Sequence, residues 1–180
     1  MDISNFECLY NEDEIESKIK QIARKIDEKY KNEKIVFICV LKGAVVFYCK
    51  LLGYLETKDV ELDFIQVKSY VGTCSSGKVD ILKDINTNLK DKCVIIIEDI
   101  IDTGITANFL NNYFKDKGAK EIVMCSLLQK PSKLTVDLQM QTIVGFEIED
   151  KFIIGYGLDL DEKYRNLREI LVLKEDKKDE

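Results

Sequence analysis

The sequence predicts an α/β fold with an open, mainly parallel sheet flanked by helices. Three apolar runs rich in β-branched residues, at 35–41, 94–97 and 121–128, are typical of strands buried on both faces, as in a parallel sheet. A helical pattern follows each of the first two runs, and this alternation is typical of α/β architecture. With 180 residues, positions 1–180 are expected to form a single domain that buries about 70% of its unfolded surface.

The charge balance limits the class of partner. Apolar residues make up 46% of the chain and charged residues 33%, and the net charge is −6. The pI near 5.0 argues against a nonspecific nucleic-acid binder. An anionic substrate must therefore be bound by a few placed cations.

The cysteines and the apolar runs indicate the compartment. The six cysteines show no C-x-x-C spacing, and Cys39, Cys93 and Cys125 lie in apolar runs, where a free thiol behaves as a small hydrophobe. No signal-peptide pattern is present, and no apolar run approaches the ~20 residues of a membrane span. We therefore expect a cytoplasmic protein in a reducing environment, with neither a membrane nor a nucleic acid as partner.

The chain contains no histidine. This absence excludes Ser-His and Cys-His nucleophilic triads and zinc sites with histidine ligands. A general base in this protein must be a carboxylate, a lysine or a tyrosine.

The first element along the chain is an amphipathic helix. Asn11 and Glu14 form a capping-box pattern. Apolar side chains then recur at helical spacing, at Ile15, Ile19, Ile22, Ile26 and Tyr30. We interpret this helix as structural.

The strand at 35–41 is followed at once by Lys42-Gly43-Ala44 and an apolar helix through Leu55. A lysine and a glycine at the carboxyl end of a strand fit either a plain turn or a loop that faces a ligand. The next predicted strand, 61–70, ends in Ser69 and Tyr70. The small polar residues after it favour, on composition alone, a flexible hairpin connection.

The stretch 94–106 carries the strongest chemical pattern. Glu98 and Asp99 follow an apolar strand at the edge of the sheet where α/β proteins bind ligands. The residues Asp102 to Thr106 would place backbone N–H groups and two hydroxyls at a helix N-terminus, which is a ready anion site. Acids beside an anion site indicate a ribose phosphate. The alternative is an ordinary strand–turn–helix in which Asp102 or Thr103 is the N-cap.

The remaining patterns lie in the second half of the chain. Gly118 is a suitable C′ residue for the helix after Thr106. The strand 121–128 ends in Gln129-Lys130-Pro131, which again places a lysine at a carboxyl edge. In the segment 144–159, an isolated Phe152 would ordinarily be part of the core. Residues 174–180 form a charged segment, expected to be a flexible tail.

The stretch 94–106 resembles the phosphoribosyl-pyrophosphate signature of the purine phosphoribosyltransferases, specifically their hypoxanthine-guanine branch. The resemblance covers about residues 35–172 and consists of four motifs in the family's order. It implies a type I phosphoribosyltransferase fold with a small hood formed by the N- and C-terminal segments. It also implies purine salvage by Mg²⁺-dependent transfer of phosphoribosyl from phosphoribosyl pyrophosphate to N9 of hypoxanthine or guanine. The products would be IMP or GMP and pyrophosphate, and relatives usually form homodimers or homotetramers.

The resemblance assigns a role to each residue that would bind phosphoribosyl pyrophosphate. Glu98 and Asp99 would hold the ribose hydroxyls, directly or through Mg²⁺. Asp102 would be the general base at the purine. The 5′-phosphate would be wrapped by Asp102, Thr103, Gly104, Ile105 and Thr106. The pyrophosphate would contact Arg165 and the loop of Lys42 and Gly43, with a cis Leu41–Lys42 peptide.

The same resemblance assigns the purine contacts and a lid. Lys130 would donate to the purine 6-oxygen, and Phe152 would stack on the base. Ile153 would offer backbone groups to the base edge, with Lys151 in support. Asp159 would lie near Mg²⁺ as a third candidate ligand. Ser69 and Tyr70 would open a mobile lid at 71–80 that excludes water.

Two positions depart from the family's pattern. Ile105 stands where many members carry a basic or polar residue, although its backbone N–H can still bind phosphate. Gln66 stands where some relatives have arginine, so a charge is lost there.

Two other functions fit parts of these patterns. A pyrimidine phosphoribosyltransferase that doubles as an RNA-binding regulator would share the signature, but the acidic pI and the residues Lys130 and 151–156 favour the purine branch. A signalling receiver domain would also carry an acid pair and a Lys-Pro. Its phosphorylated aspartate should lie on a strand between those two features. Only one helix and one strand separate them here, so the order of elements fails.

Overall fold

The computed structural model describes residues 3–69 and 79–174. Twelve helices and strands follow one another in these ranges: β1 (Phe6–Tyr10), α1 (Glu12–Tyr30), β2 (Ile35–Leu41), α2 (Val45–Tyr54), β3 (Val60–Ser69), β4 (Val79–Lys83), β5 (Cys93–Ile101), α3 (Ile105–Asp116), β6 (Glu121–Gln129), β7 (Gln141–Glu147), β8 (Ile153–Ile154) and β9 (Ile170–Leu173). Short 3₁₀ turns lie at Ile3–Asn5 and Pro131–Lys133.

The main sheet has six strands in the order β4-β3-β2-β5-β6-β7. Every neighbouring pair is parallel except β3 and β4, which are antiparallel. The predicted open, mainly parallel sheet is therefore confirmed. Its parallel strands all end at one edge, so the loops after β2, β5 and β6 lie beside one another.

The two ends of the chain form a separate three-stranded sheet, β1-β9-β8, with antiparallel pairing. This small sheet is the hood that the family resemblance implied. Lys174, the first residue of the expected tail, is tied to it. Its backbone N–H donates to the Asn5 carbonyl at 2.9 Å and its Nζ to the Ser4 carbonyl at 2.8 Å. Residues 175–180 of the expected tail lie outside the described residues.

Alternating side chains of β2, β5 and β6 point to opposite faces of the main sheet, and each face has its own apolar core. Helices α1 and α2 and the hood pack on one face, and α3 packs on the other. The capping box at Asn11 and Glu14 is confirmed, as is burial of the predicted face of α1. Gly118 is the C′ residue of α3, with φ of 85°. Cys39, Cys93 and Cys125 are buried, as free thiols in apolar runs should be.

Strand β5 is longer than its apolar run predicted. It continues to Ile101, so Glu98 and Asp99 belong to the strand itself. Glu98 is paired with Ser126 of β6. Among residues 3–69 and 79–174, no helix is both long and apolar enough to cross a membrane.

Candidate active site

A cavity of about 260 Å³ opens at the carboxyl edge of the main sheet. Its walls come from the end of β3, the end of β5, the following loop and the first turn of α3: Ser69, Glu98, Asp99, Ile100, Ile101, Asp102, Thr103, Gly104, Thr106 and Ala107. The predicted lid residue Ser69 thus lines the cavity. Tyr70 and residues 71–78 of the expected lid lie outside the described residues, whereas Val79 and Asp80 lie in β4.

The turn before α3 is shaped as an anion site. Gly104 is the N-cap of α3, with φ of 83° and no side-chain cap, so the alternative in which Asp102 or Thr103 caps the helix is wrong. Glycine suits this left-handed turn, and a Cβ there would also meet side-chain carbons of Val136 and Leu138 at 3.1 Å. The first intrahelical bond runs from Asn108 N–H to the Gly104 carbonyl at 3.0 Å. Of the earlier N–H groups, that of Ile105 donates to Thr103 Oγ1 at 3.4 Å. Those of Thr106 and Ala107 lie in the first turn of the helix, beside the cavity, where a phosphate is favoured.

Glu98 and Asp99 are half-buried acids in adjacent positions. Burial raises the pKa of Asp99 to about 6, opposed by the Ile100 N–H, which donates to its Oδ1 at 2.8 Å, and by Arg165. Burial, and then the neighbouring Asp99, raise the pKa of Glu98 well above its ordinary value. Neither carboxylate has an ion-pair partner among the described residues. Such a donor set suits a hard divalent cation, whose charge would favour both ionised forms.

The described ranges contain no group of three or more acidic, cysteine or histidine side chains arranged around a metal position. Mg²⁺ commonly takes one or two protein carboxylates and completes its shell with water and substrate oxygens. The pair of acids on β5 fits that pattern. The third candidate ligand, Asp159, is instead engaged by Arg165.

The loop after β2 lies directly against Asp99. The Leu41–Lys42 peptide is cis, as the family resemblance implied. A Cβ on Gly43 would lie 1.7 Å from Asp99 Oδ2, so no other residue fits there while Asp99 keeps its position. From the other side, Gly157 has φ of 103°, and a Cβ on it would lie 1.9 Å from the Gly43 carbonyl oxygen. The loop is therefore held between β5 and the segment after β8.

Arg165 organises that segment after β8. Its guanidinium bonds Asp159 Oδ1 at 2.8 Å and the Gly157 carbonyl at 2.8 Å. Glu162, which the sequence did not single out, pairs with Arg165 at 3.3 Å and with Lys42 Nζ at 3.0 Å. The charges of Arg165 and Asp159 both act on the pKa of Asp99. The structure thus brings together four residues that the resemblance singled out: Lys42 and Arg165 for the pyrophosphate, and Asp99 and Asp159 near Mg²⁺.

The expected purine side centres on Lys130, which is buried with 8% exposure. Its Nζ donates to Asp150 Oδ1 at 3.2 Å, and Lys133 Nζ lies 3.4 Å from the same oxygen. Lys133 also pairs with Asp102 Oδ2 at 3.3 Å. Lys133 and Asp150 were missed at the sequence level. The signal that could have found Lys133 is its spacing from Lys130, one turn of 3₁₀ helix away.

Phe152 is 44% exposed. Its ring lies 6.2 Å from that of Phe6, and its backbone accepts a hydrogen bond from Leu173 in the hood. This exposure favours a stacking surface over core filler. Ile153 is buried and paired with Val172, and Lys151 Nζ lies 3.1 Å from Glu149 Oε2.

The phosphoribosyl transferase domain family matches residues 6–161 of this chain. The hypoxanthine-guanine phosphoribosyltransferase of Streptococcus thermophilus is 42% identical over 169 residues, covering 93% of each chain. The crystal structure of the Bacillus anthracis hypoxanthine-guanine phosphoribosyltransferase has a TM-score of 0.87 at 43% identity, covering 93% of this chain and 98% of that one. The Trypanosoma cruzi hypoxanthine phosphoribosyltransferase, in complex with the product IMP, has a TM-score of 0.85 at 36% identity, covering 93% of each chain. The similarity therefore extends well beyond the cavity.

Proposed function

The chain belongs to the phosphoribosyltransferase family, and we propose that it salvages purines as a hypoxanthine-guanine phosphoribosyltransferase. It transfers the phosphoribosyl group of phosphoribosyl pyrophosphate to N9 of hypoxanthine or guanine, giving IMP or GMP and pyrophosphate. The observation that carries this proposal is the carboxyl edge of the main sheet. There a helix N-terminus and two adjacent acids line one cavity. The buried Lys130 lies beside them at the end of the neighbouring strand, where its backbone N–H donates to the Ile101 carbonyl at 2.9 Å.

The turn of Thr103, Gly104 and Ile105 binds the 5′-phosphate through backbone N–H groups and the dipole of α3. This explains why Ile105 is acceptable where relatives carry polar side chains, because the contact is made by the backbone. The hydroxyls of Thr103 and Thr106 add donors at the same turn. The ribose is thereby anchored with C1 toward the loop of Lys42 and Gly43.

Glu98 and Asp99 lie beside the ribose, where they accept hydrogen bonds from its hydroxyls. As the bond from C1 to pyrophosphate breaks, positive charge develops on the ring, and the carboxylates stabilise it electrostatically. Mg²⁺, when bound at Glu98 and Asp99, neutralises charge on the leaving pyrophosphate. The backbone at Lys42 and Gly43 and the guanidinium of Arg165 are placed to bind the departing group.

The purine binds between Phe152 and Lys130. The Lys130 ammonium has only donor protons, so it suits the 6-oxo group of hypoxanthine and guanine and disfavours the 6-amino group of adenine. Asp102 accepts the proton at N7, which raises the nucleophilicity of N9. One of its oxygens, Oδ1, is buried and has no hydrogen-bond partner among the described residues, so part of the accepting capacity of this carboxylate is unused.

The test is nucleotide formation from phosphoribosyl pyrophosphate and Mg²⁺ with each of five bases: hypoxanthine, guanine, xanthine, adenine and uracil. We expect hypoxanthine or guanine to be converted, with one pyrophosphate released per nucleotide. Adenine and uracil should not be used. Conversion of uracil in preference to the 6-oxopurines would instead make the protein a pyrimidine phosphoribosyltransferase. Sedimentation of the same sample would test the proposed homodimer or homotetramer.

A further inference from the structure

A chain of ion pairs links Asp102 and Lys130, the two residues expected to face the purine edge. Asp102 Oδ2 lies 3.3 Å from Lys133 Nζ, which lies 3.4 Å from Asp150 Oδ1, which in turn lies 3.2 Å from Lys130 Nζ. The set of two aspartates and two lysines is formally neutral. It joins the loop after β5, the 3₁₀ turn after β6 and the loop before β8.

The two carboxylate oxygens of Asp102 have different surroundings. Oδ2 is held by Lys133, whereas Oδ1 is buried without a hydrogen-bond partner in the described part of the chain. A carboxylate held at one oxygen is restricted in its rotation, so Lys133 sets the direction of the other oxygen. Lys133 keeps its proton, because the hydrogen bond to Asp102 raises its pKa.

The purine presents O6 and N7 as neighbours on one edge. A donor for O6 and an acceptor for the N7 proton must therefore be held at a fixed separation. We propose that Lys133 is a positioning residue that orients the Asp102 carboxylate toward N7, while Asp150 keeps Lys133 and Lys130 at a fixed separation. This inference rests on the proposed function, since it specifies how that site aligns its base with its purine donor.

The bonds in this step balance without any further reactant. The proton on N7 passes to the Asp102 carboxylate as the N9 electron pair forms the bond to C1. Pyrophosphate leaves with the electron pair of the broken C1–O bond. Lys133 transfers no proton and contacts no reacting atom.

If the ion pairs of Lys133 served only the fold, replacing Lys133 would have little effect on folding stability or on activity. Its side chain is 38% exposed and that of Asp150 is 49% exposed. Ion pairs with this much solvent contact add little to folding stability. A loss of catalysis without loss of stability would therefore separate positioning from structure.

The first experiment compares Lys133→Met and Lys133→Arg with a matched control, Lys120→Met. Lys120 forms an exposed ion pair with Glu33 at 2.7 Å, at the opposite end of the main sheet. For Lys133→Met we expect kcat for IMP formation to fall roughly 10- to 100-fold, with unchanged Tm and unchanged affinity for phosphoribosyl pyrophosphate. Lys133→Arg should restore most of the rate, and Lys120→Met should match the wild type.

The second experiment places Lys133→Met in an Asp102→Asn background. If Lys133 acts through Asp102, the second substitution should add almost no further loss. The inference is overturned by kcat within about 2-fold of wild type in Lys133→Met, or by an equal loss in both backgrounds. A loss that follows a drop in Tm and is not restored by Lys133→Arg also overturns it. If the wild-type protein makes no nucleotide, the proposed function itself is refuted. If the wild type is active and Lys133→Met has the same kcat, only the role of Lys133 is refuted.

Discussion

Gly43→Ala tests how tightly the loop after β2 packs against the acid pair of Glu98 and Asp99. The added Cβ would lie 1.7 Å from Asp99 Oδ2 and 2.6 Å from its Cγ, and the nearest comfortable separation begins at 3.4 Å. Either the carboxylate or the loop must therefore shift by about 1.7 Å. The φ angle of Gly43 is not positive, so an alanine at this position causes no backbone strain of its own.

The carboxylate is the part that can move, because it turns about its own side-chain bonds. Turning it breaks the bond from the Ile100 N–H, a charge-assisted contact that contributes about 1.5–3 kcal/mol. A displacement of this size at a residue proposed to hold the ribose should lower kcat/KM for phosphoribosyl pyrophosphate on the order of 100-fold. Initial rates of IMP formation at varied phosphoribosyl pyrophosphate, with paired thermal melts, would measure both effects.

The matched control is Gly53→Ala. Gly53 lies in α2, and a Cβ there meets nothing within 4 Å. Alanine should be better than glycine in the helix by up to about 1 kcal/mol, with activity unchanged. In an Asp99→Ala background, Gly43→Ala should cost little more, because the clashing group is gone. Near-native kcat/KM in Gly43→Ala alone would refute the argument that Gly43 is required by the position of Asp99.

Three further substitutions test separate parts of the account. Lys130→Ala should lose turnover of hypoxanthine more than affinity for phosphoribosyl pyrophosphate. The wild type should reject adenine by up to about 10⁴-fold, and equal use of adenine would contradict the role of Lys130. Phe152→Leu should weaken purine binding by roughly 1–3 kcal/mol with little change in Tm, whereas a core role predicts the reverse. Asp63 accepts backbone N–H bonds from Phe64, Asn86 and Thr87, which outweigh burial and lower its pKa below 3.8. Its stabilisation should be present above that pH and be lost as the pH falls through the folded pKa. Urea unfolding should therefore separate Asp63→Asn from wild type near neutral pH, and the difference should shrink as the pH is lowered below 3.8.

The sequence was most informative where local pattern and burial agree. The apolar runs of β2, β5 and β6 predicted strands because such runs are typical of strands that are buried on both faces of a sheet. All three strands are present in the main sheet. The capping box of α1 was predictable because its contacts span three residues. The acids Glu98 and Asp99 stood out because nothing apolar explains them at the end of a buried strand.

The remaining features depend on contacts distant in sequence. Lys133 and Asp102 are brought together only by the adjacency of β5 and β6. The need for glycine at 43 comes from a side chain on another strand. Asp102 and Thr103 were the alternative N-caps of α3 because both residue types have high capping propensity. The left-handed turn at Gly104 instead starts the helix at Ile105.

The most direct measurement of the central claim compares wild type with Asp102→Asn in IMP formation from hypoxanthine, phosphoribosyl pyrophosphate and Mg²⁺. The N-cap is Gly104 and the proposed phosphate contacts are backbone N–H groups, so the substitution should leave the fold and phosphoribosyl-pyrophosphate affinity intact. Wild type should form IMP and pyrophosphate in equal amounts, and kcat of the variant should fall about 10²- to 10⁴-fold. No IMP from the wild type, or near-native kcat in Asp102→Asn, would contradict the account.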